Sequence, residues 1–241
     1  MVVPFKMVSL QFDDGLLGVY DRGVPYLNKV AKGAVGTIAV TTDWVNQLST
    51  SSSPLLNWEQ LRIMRDMGWE IQDHKKTGRH LTDLTDEEIH QELQSINDLF
   101  TFMGWDVPTH SYIPGRMIDD RVENIVRQYR KNIINLHTNT EILPDLDRLG
   151  INYASRRGDT QTESRQNYIK QTIDELENGK YDWVIIRGHD IRDEPTTYQY
   201  CYYTRYFEDM VDYIVSKDDI KFVTIEQGLR LQKAWKEAGL I

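Results

Sequence analysis

The sequence predicts an α/β protein, a distorted or incomplete (β/α) barrel of about seven to eight parallel strands. Short apolar runs alternate with helical patterns along all 241 residues, and such alternation implies a parallel sheet. No linker rich in glycine or proline divides the chain, so we expect a single domain over residues 1–241. At this length a barrel is favoured over an open doubly wound sheet.

Each element is predicted from the spacing of its apolar residues. The first strand covers residues 6–11, and a helix over 19–30 follows it. Further strands are predicted over 34–40, 69–74, 109–113, 132–136, 152–155, 182–186 and 221–225. Further helices are predicted over 57–67, 85–104, 119–129, 162–176, 206–215 and 228–238. The helix at Thr85 has the clearest start, because Thr85-Asp86-Glu87-Glu88 is a capping box.

Composition excludes several classes of function. The 28 basic and 37 acidic residues give a net charge of −9 without any block of like charge, so a nucleic-acid partner has no support. The single Cys201 rules out an internal disulfide and a cysteine-based metal cluster. We find no Walker or dinucleotide-binding motif.

The sequence also shows no membrane segment. No apolar run is long enough to cross a bilayer, so a membrane partner is not expected. The first residues lack the charged region and the apolar stretch of a signal peptide. The expected location is therefore cytoplasmic by default, with a trimmed leader or another export route as alternatives. The oligomeric state stays open.

Titratable residues follow the predicted strands, at the barrel end where active sites lie. They are Asp13 and Asp14 after the first strand, Asp73 and His74 after the third, Arg116 after the fourth, Arg156 and Arg157 after the sixth, and His189 and Asp190 after the seventh. Asp-Asp-Gly is also ordinary turn chemistry, and a single histidine after a strand is often structural. Agreement among five strand ends favours a functional site.

The adjacent pair Asp13-Asp14 suggests a division of labour. Two neighbouring carboxylates raise each other's pKa unless a cation lies between them. One natural outcome is that one carboxylate binds a metal ion and the other acts as a base.

These segments resemble the motifs of the polysaccharide deacetylase family, the NodB-homology domains of carbohydrate esterase family four. The similar stretches occur in family order between residues 8 and 191. They are Phe12-Asp13-Asp14-Gly15, the strand leading to His74, Tyr112-Ile113-Pro114-Gly115, the strand ending in Arg156-Arg157, and the strand before His189.

The resemblance implies a metal-dependent hydrolase that removes N-acetyl groups from an acetylated sugar or glycan by attack of a metal-bound water. Asp14 and His74 would bind the metal, Asp13 would be the general base and His189 would protonate the leaving amine. Arg157 would pair with Asp13 and keep it ionised, and Asp190 would orient His189 or cap a helix. Tyr112, Pro114 and Gly115 would contact substrate, with a backbone N–H near Tyr112 stabilising the oxyanion.

The second family motif departs from its usual form of two histidines four residues apart. Gly78 stands where the second metal-binding histidine is expected, and His80 follows two residues later. Three explanations compete: His80 replaces the missing ligand, the metal has only two protein ligands, or His80 is a surface residue. Lys75 and Lys76 add positive charge, which disfavours a cation.

Because of this departure, two other functions remain open: a carbohydrate-binding protein with impaired catalysis, or a metal-free amide hydrolase acting on a small substrate. If a divalent metal binds, the ligand types favour zinc, with cobalt or nickel feasible.

Aromatic residues near the expected site are candidates for sugar binding. Trp44 lies in a serine-rich loop, and His137 ends the fifth predicted strand. After His189 comes a set of tyrosines, namely Tyr198, Tyr200, Tyr202, Tyr203 and Tyr206. Such rings either stack on sugars or pack a loop onto the barrel.

Overall fold

The fold is an incomplete barrel built on one parallel sheet, which confirms the predicted class. The computed structural model describes residues 3–47, 54–134, 146, 152–194 and 196–241. The strands of the sheet are β1 (Lys6–Phe12), β2 (Thr37–Val40), β3 (Glu70–Asp73), β4 (His110–Ser111), β5 (Asn132–Ile133), β6 (Tyr153–Arg157), β7 (Trp183–Gly188) and β10 (Ile220–Phe222). They run in the order β5-β4-β3-β2-β1-β7-β6, and β10 pairs with the first residues of β1, whose last residues pair with β2.

Helices occupy the connections between these strands. They are α1 (Val24–Val30), α2 (Trp58–Asp66), α3 (Asp86–Phe102), α4 (Asp120–Val126), α5 (Glu163–Glu177), α6 (Thr204–Val215) and α7 (Ile225–Glu237). Asn57, Thr85 and Thr224 begin α2, α3 and α7 with complete capping boxes. Among the helices in the described ranges, none combines the length and the apolar character needed to cross a membrane.

Strand β1 is the centre of the sheet and is buried almost throughout. Met7 to Phe12 pair in register with Trp183 to Gly188 of β7, which places the end of β1 beside the end of β7. The alternating side chains of β1 contribute to two cores, one packed by helices on the outside and one inside the curled sheet. The residues that follow β1 and β7 are therefore held at one edge by a rigid frame.

The C-terminal third contains the main differences from the predicted elements. Residues 224 and 225 were expected in the last strand, but Thr224 caps α7 and Ile225 is its first residue. The tyrosine-rich segment contributes β9 (Cys201–Tyr203), which pairs in parallel with β8 (Asp190–Arg192) in a small second sheet. The strands β8 and β9 were not predicted because each has only three residues, too few to show a hydrophobic period.

Candidate active site

The turn after β1 places two carboxylates at the edge of the sheet. Asp14 has a φ of 74° and Gly15 a φ of 77°, so the chain turns through two left-handed residues. The backbone N–H of Asp13 donates to the carbonyl of Gly188, 2.9 Å away. This bond joins the turn to the end of β7.

His74 lies against both carboxylates. Its Nε2 is 3.3 Å from Oδ1 of Asp14, and its Nδ1 is 3.8 Å from Oδ1 of Asp13. Gln11 donates from Nε2 to Oδ1 of Asp13 at 2.6 Å. Burial raises the pKa of Asp14, and the nearby imidazoles of His74 and His189 partly oppose this. The structure thus brings together three of the predicted residues.

His189 follows β7 and is held by a buried carboxylate, Asp159. Oδ2 of Asp159 is 2.8 Å from Nδ1 of His189, and its Oδ1 accepts the His189 backbone N–H at 2.9 Å. Burial alone would lower the pKa of His189, but Asp159, with help from Asp13 and Asp14, raises it to about 9. His189 is therefore protonated at neutral pH and can donate from Nε2.

Two glycines make room for this pair. A Cβ at Gly188 would lie 2.7 Å from Cε2 of Tyr202 and 3.1 Å from Oδ1 of Asp159. A Cβ at Gly158 would overlap the hydroxyl of Tyr202, which is buried in the core. Because both positions are glycine, Tyr202 can pack against the backbone there, and Asp159 can approach closely enough to bond His189.

Arg157 and Asp190 have partners other than the predicted ones. Nε of Arg157 lies 3.5 Å from Oδ2 of Asp159, rather than pairing with Asp13. The sheet order explains this correction, since β7 separates β6 from β1 while Asp159 is only two residues away. Asp190 pairs with Arg192 at 2.7 Å, so Asp159 is the carboxylate that orients His189.

The place of the missing histidine in the second motif is partly filled by Trp44. Gly78 has a φ of 76°, and a Cβ there would lie 2.7 Å from Cζ2 of the Trp44 ring. This distance is shorter than any normal contact, so a side chain at 78 would have to displace the indole.

His80 does not join Asp14 and His74. It is exposed, and its ring packs against Gly115, where a Cβ would overlap its Cε1 atom. Within the described ranges, no group of three or more His, Cys, Asp or Glu residues could hold a metal ion. The residues present therefore fit a metal only in part: Asp14 and His74 are in contact and Asp13 lies beside His74, but His80 is apart from them.

The two lysines after His74 do not leave free positive charge at the site. Lys75 is fully buried, with Nζ 2.5 Å from Oδ1 of Asp73 and a further bond to Ser111. Lys76 pairs with Asp43 at 2.8 Å. The expected repulsion of a cation is therefore reduced, because each ammonium has a carboxylate partner.

The third motif lies at the end of β4. Tyr112 is buried, and its backbone N–H donates to the carbonyl of Asp73 at 3.3 Å, so that N–H is already used within the sheet. Pro114 and Gly115 form a short turn with Gly115 at a φ of 61°. His137 lies outside the described residues.

Sequence reasoning missed two residues that contact the candidate site, Gln11 and Asp159. Gln11 is a buried polar residue in a mostly apolar strand, which is a signal for a hydrogen-bonding role. Asp159 comes two residues beyond the strand end, after Gly158, and its contact with His189 depends on sheet order.

The family model for polysaccharide deacetylases matches residues 2–134 of the chain. That range contains the Asp13-Asp14 turn, His74, Gly78 and Tyr112. No curated protein sequence matches the chain.

Solved structures share the fold at low sequence identity. The peptidoglycan deacetylase PdaC from Bacillus subtilis is 18% identical with a TM-score of 0.62, over 98% of this chain and 96% of that one. A family 4 acetyl xylan esterase from Clostridium thermocellum, in complex with cobalt, is 19% identical with a TM-score of 0.57, over 94% and 91%. BA3943 from Bacillus anthracis, described as a family 4 pseudoenzyme, is 16% identical with a TM-score of 0.58, over 93% and 65%.

Proposed function

The chain belongs to the polysaccharide deacetylase family, and we propose that it hydrolyses the N-acetyl group of an acetylated sugar or glycan. The carrying observation is that Asp13 after β1 and His189 after β7 follow neighbouring strands, whose ends are joined by the bond from the Asp13 N–H to the Gly188 carbonyl. His189 is raised to a pKa of about 9, and Asp13 and Asp14 are close enough to contribute to that shift. A protonated imidazole beside a carboxylate supports acid–base hydrolysis.

In the proposed reaction, Asp13 accepts a proton from the water that attacks the carbonyl carbon of the acetamide. His189 then donates its Nε2 proton to the departing nitrogen as the C–N bond breaks, which releases acetate and a free amine. Gln11 orients Asp13, and Asp159 fixes the ring of His189 and stabilises its charge. Arg157 contributes through Asp159 rather than through Asp13.

We propose that a divalent metal, zinc by ligand type, is held by Asp14 and His74. Such an ion would polarise the acetamide carbonyl and lower the pKa of water. His80 remains a candidate third ligand only if its loop moves. A His80→Ala variant with unchanged metal affinity, measured by calorimetry, would remove it from the site.

A carbohydrate-binding protein without catalysis is the second candidate. Gly78 and the Trp44 ring beside it favour this function, because the space for a third ligand is taken by an aromatic surface. The fold neighbour BA3943 is described as a pseudoenzyme whose activity was restored in a mutant. A metal-free amide hydrolase would keep the acid and base but use neither Asp14 nor His74 as a ligand.

The test separates chemistry from metal binding. Wild-type protein with added zinc should release acetate from an N-acetylglucosamine oligosaccharide. Asp13→Asn should reduce release by at least about a hundredfold with metal content unchanged, since a general base contributes about 10²–10⁴. Asp14→Asn should lose the metal as well. Loss of metal in Asp13→Asn would overturn its assignment as base, and glycan binding without acetate release would favour the second candidate.

A further inference from the structure

Two arginines and two tyrosines form a row of contacting side chains that leads away from His189. The Tyr200 ring lies 5.4 Å from the His189 ring, and the Arg157 guanidinium lies 5.1 Å from the Tyr200 centroid. Tyr198 meets Tyr200 edge-on at 6.0 Å, and the Arg192 guanidinium lies 4.3 Å from the Tyr198 centroid. We call Arg157, Tyr200, Tyr198 and Arg192 the Arg–Tyr ladder.

The inner end of the Arg–Tyr ladder is accessible. Tyr200 is 49% exposed, although most tyrosines of the same segment are more buried. The Arg157 side chain is 37% exposed, yet it is anchored through Asp159, which is fully buried. An exposed aromatic ring beside an anchored guanidinium offers apolar surface for a sugar ring and charged donors for its substituents.

Positive and negative charges around the candidate site lie at different strand ends. Arg192 is balanced by Asp190, 2.7 Å away. Arg157 shares the single carboxylate of Asp159 with His189, so these three residues are net positive when His189 is protonated. Asp13 and Asp14, in the turn after β1, add negative charge near His189. An acidic substituent is therefore repelled from Asp13 and Asp14 and attracted to Arg157.

We propose that the Arg–Tyr ladder is a subsite for an acidic N-acetylated glycan, in which a sugar ring contacts Tyr200 and a carboxylate pairs with Arg157. This inference rests on the proposed function, since it places the acidic sugar next to the acetamide whose departing nitrogen His189 protonates. Tyr198 and Arg192 continue the same surface for the following sugar. Arg157 is thus a specificity-determining residue.

The test compares two tetrasaccharides, one of N-acetylglucosamine alone and one alternating N-acetylglucosamine with glucuronic acid. Affinities are measured by calorimetry in the Asp13→Asn background, so that no ligand is consumed. Arg157→Gln should weaken binding of the acidic ligand about 10- to 100-fold, the size of a charge-assisted hydrogen bond, and change the neutral ligand less than about threefold. Arg157→Lys should keep part of the preference.

Matched variants separate the roles of the ladder residues. Tyr200→Leu should weaken both ligands about fivefold, whereas Tyr200→Phe should bind like its parent. Arg65→Gln is the control, because Arg65 also stacks on an aromatic ring, Trp105, beside a carboxylate, Asp66, but lies on α2. It should leave both affinities unchanged.

Either part of the account can fail alone. Equal affinity for the two ligands, or an equal loss of both in Arg157→Gln, would overturn the subsite. Acetate release from the neutral ligand by the wild type would still support the proposed function in that case. Charge-dependent binding without acetate release from either ligand would support the subsite and contradict the proposed activity.

Discussion

His189 shows how one neighbour can reverse the effect of burial on a titratable residue. The ring is mostly buried, which alone would lower its pKa. The Asp159 carboxylate, fully buried and bonded to both the ring and the backbone of His189, raises that pKa to about 9. A histidine with an ordinary pKa near 6.5 would be mostly neutral at pH 7 and a poor proton donor.

We predict that Asp159→Asn lowers the pKa of His189, because burial is then opposed only by Asp13 and Asp14. NMR titration of the imidazole in metal-free protein measures this directly. Stability should change too. The pKa of His189 is higher in the folded protein than in the unfolded chain, so the resulting stabilisation, on the order of 3 kcal/mol, is complete below about pH 6.5 and is lost between pH 6.5 and 9. An unchanged pKa in Asp159→Asn would contradict the role given to Asp159.

The loop after β3 illustrates how a residue change depends on its surroundings. The resemblance to the family suggests that Gly78→His should restore a metal ligand. The structure changes this expectation, because the new Cβ would meet Trp44 and because histidine is disfavoured at a φ of 76°. Gly78 and Trp44 therefore act as a pair.

We predict that Gly78→His alone does not raise zinc affinity, whereas Gly78→His with Trp44→Ala raises it at least tenfold. Removing the indole opens the space that the new side chain needs. Zinc calorimetry on both variants and on Trp44→Ala alone checks this. A gain in the single variant would show that the loop adapts easily, and no gain in either would place position 78 away from the metal.

The end of β3 is held by a buried charge network. Oδ1 of Asp73 lies 2.5 Å from Nζ of Lys75, and Oδ2 of Asp73 pairs with Nε of Arg130. All three side chains are fully buried. Burial alone would raise the pKa of Asp73, but the two cations hold it at about 2. This network fixes the backbone on both sides of His74 and connects it to Arg130, before β5.

We predict that Asp73→Asn destabilises the protein by about 3–5 kcal/mol, because two buried cations lose their counter-ion. The control is Asp43→Asn, which removes the exposed partner of Lys76 and should cost less than about 1 kcal/mol. Urea unfolding measures both. Similar losses in the two variants would mean that the Asp73 network contributes no more than a surface pair.

At the scale of elements, the sequence was most informative where local chemistry determines structure. The capping residues Asn57 and Thr85 begin α2 and α3 as predicted. The short strands β8 and β9 were not predicted, because their pairing joins segments whose relation only the folded chain reveals.

At the scale of the whole molecule, side chains at the end of the barrel opposite the site form polar contacts with the C-terminal helix α7. Glu226 at the start of α7 lies 2.8 Å from Nε2 of His110, which is fully buried. Its backbone N–H donates to Glu70 at 3.1 Å, and Glu70 in turn accepts from Thr37. These bonds tie α7 to β2, β3 and β4.

We predict that acid loosens this attachment. The hydrogen bond with His110 lowers the pKa of Glu226 to about 2, so its stabilisation is present above about pH 4.5 and is lost as the pH falls towards 2. Glu226→Gln should flatten the dependence of unfolding free energy on pH in this window. Glu237→Gln, an exposed position on the same helix, should follow the wild type. An equally steep loss in Glu226→Gln would contradict this role.

The fold and half of the site were predictable because strand ends carry polar residues in family order. Asp13, Asp14 and His74 indeed come together. The partner of Arg157 was not predictable, since it depends on β7 lying between β1 and β6. The contact between Trp44 and Gly78 of the second motif was also not predictable, because the two residues lie 34 positions apart in the sequence.

The most direct test of the central claim is a single assay. Wild-type protein, loaded with zinc, is incubated with N-acetylated tetrasaccharides, and the released acetate and new free amines are counted together. The account predicts both products in equal amounts, with release almost abolished in Asp13→Asn and His189→Gln. No release from any N-acetylated glycan, by a folded protein that contains zinc, would contradict it.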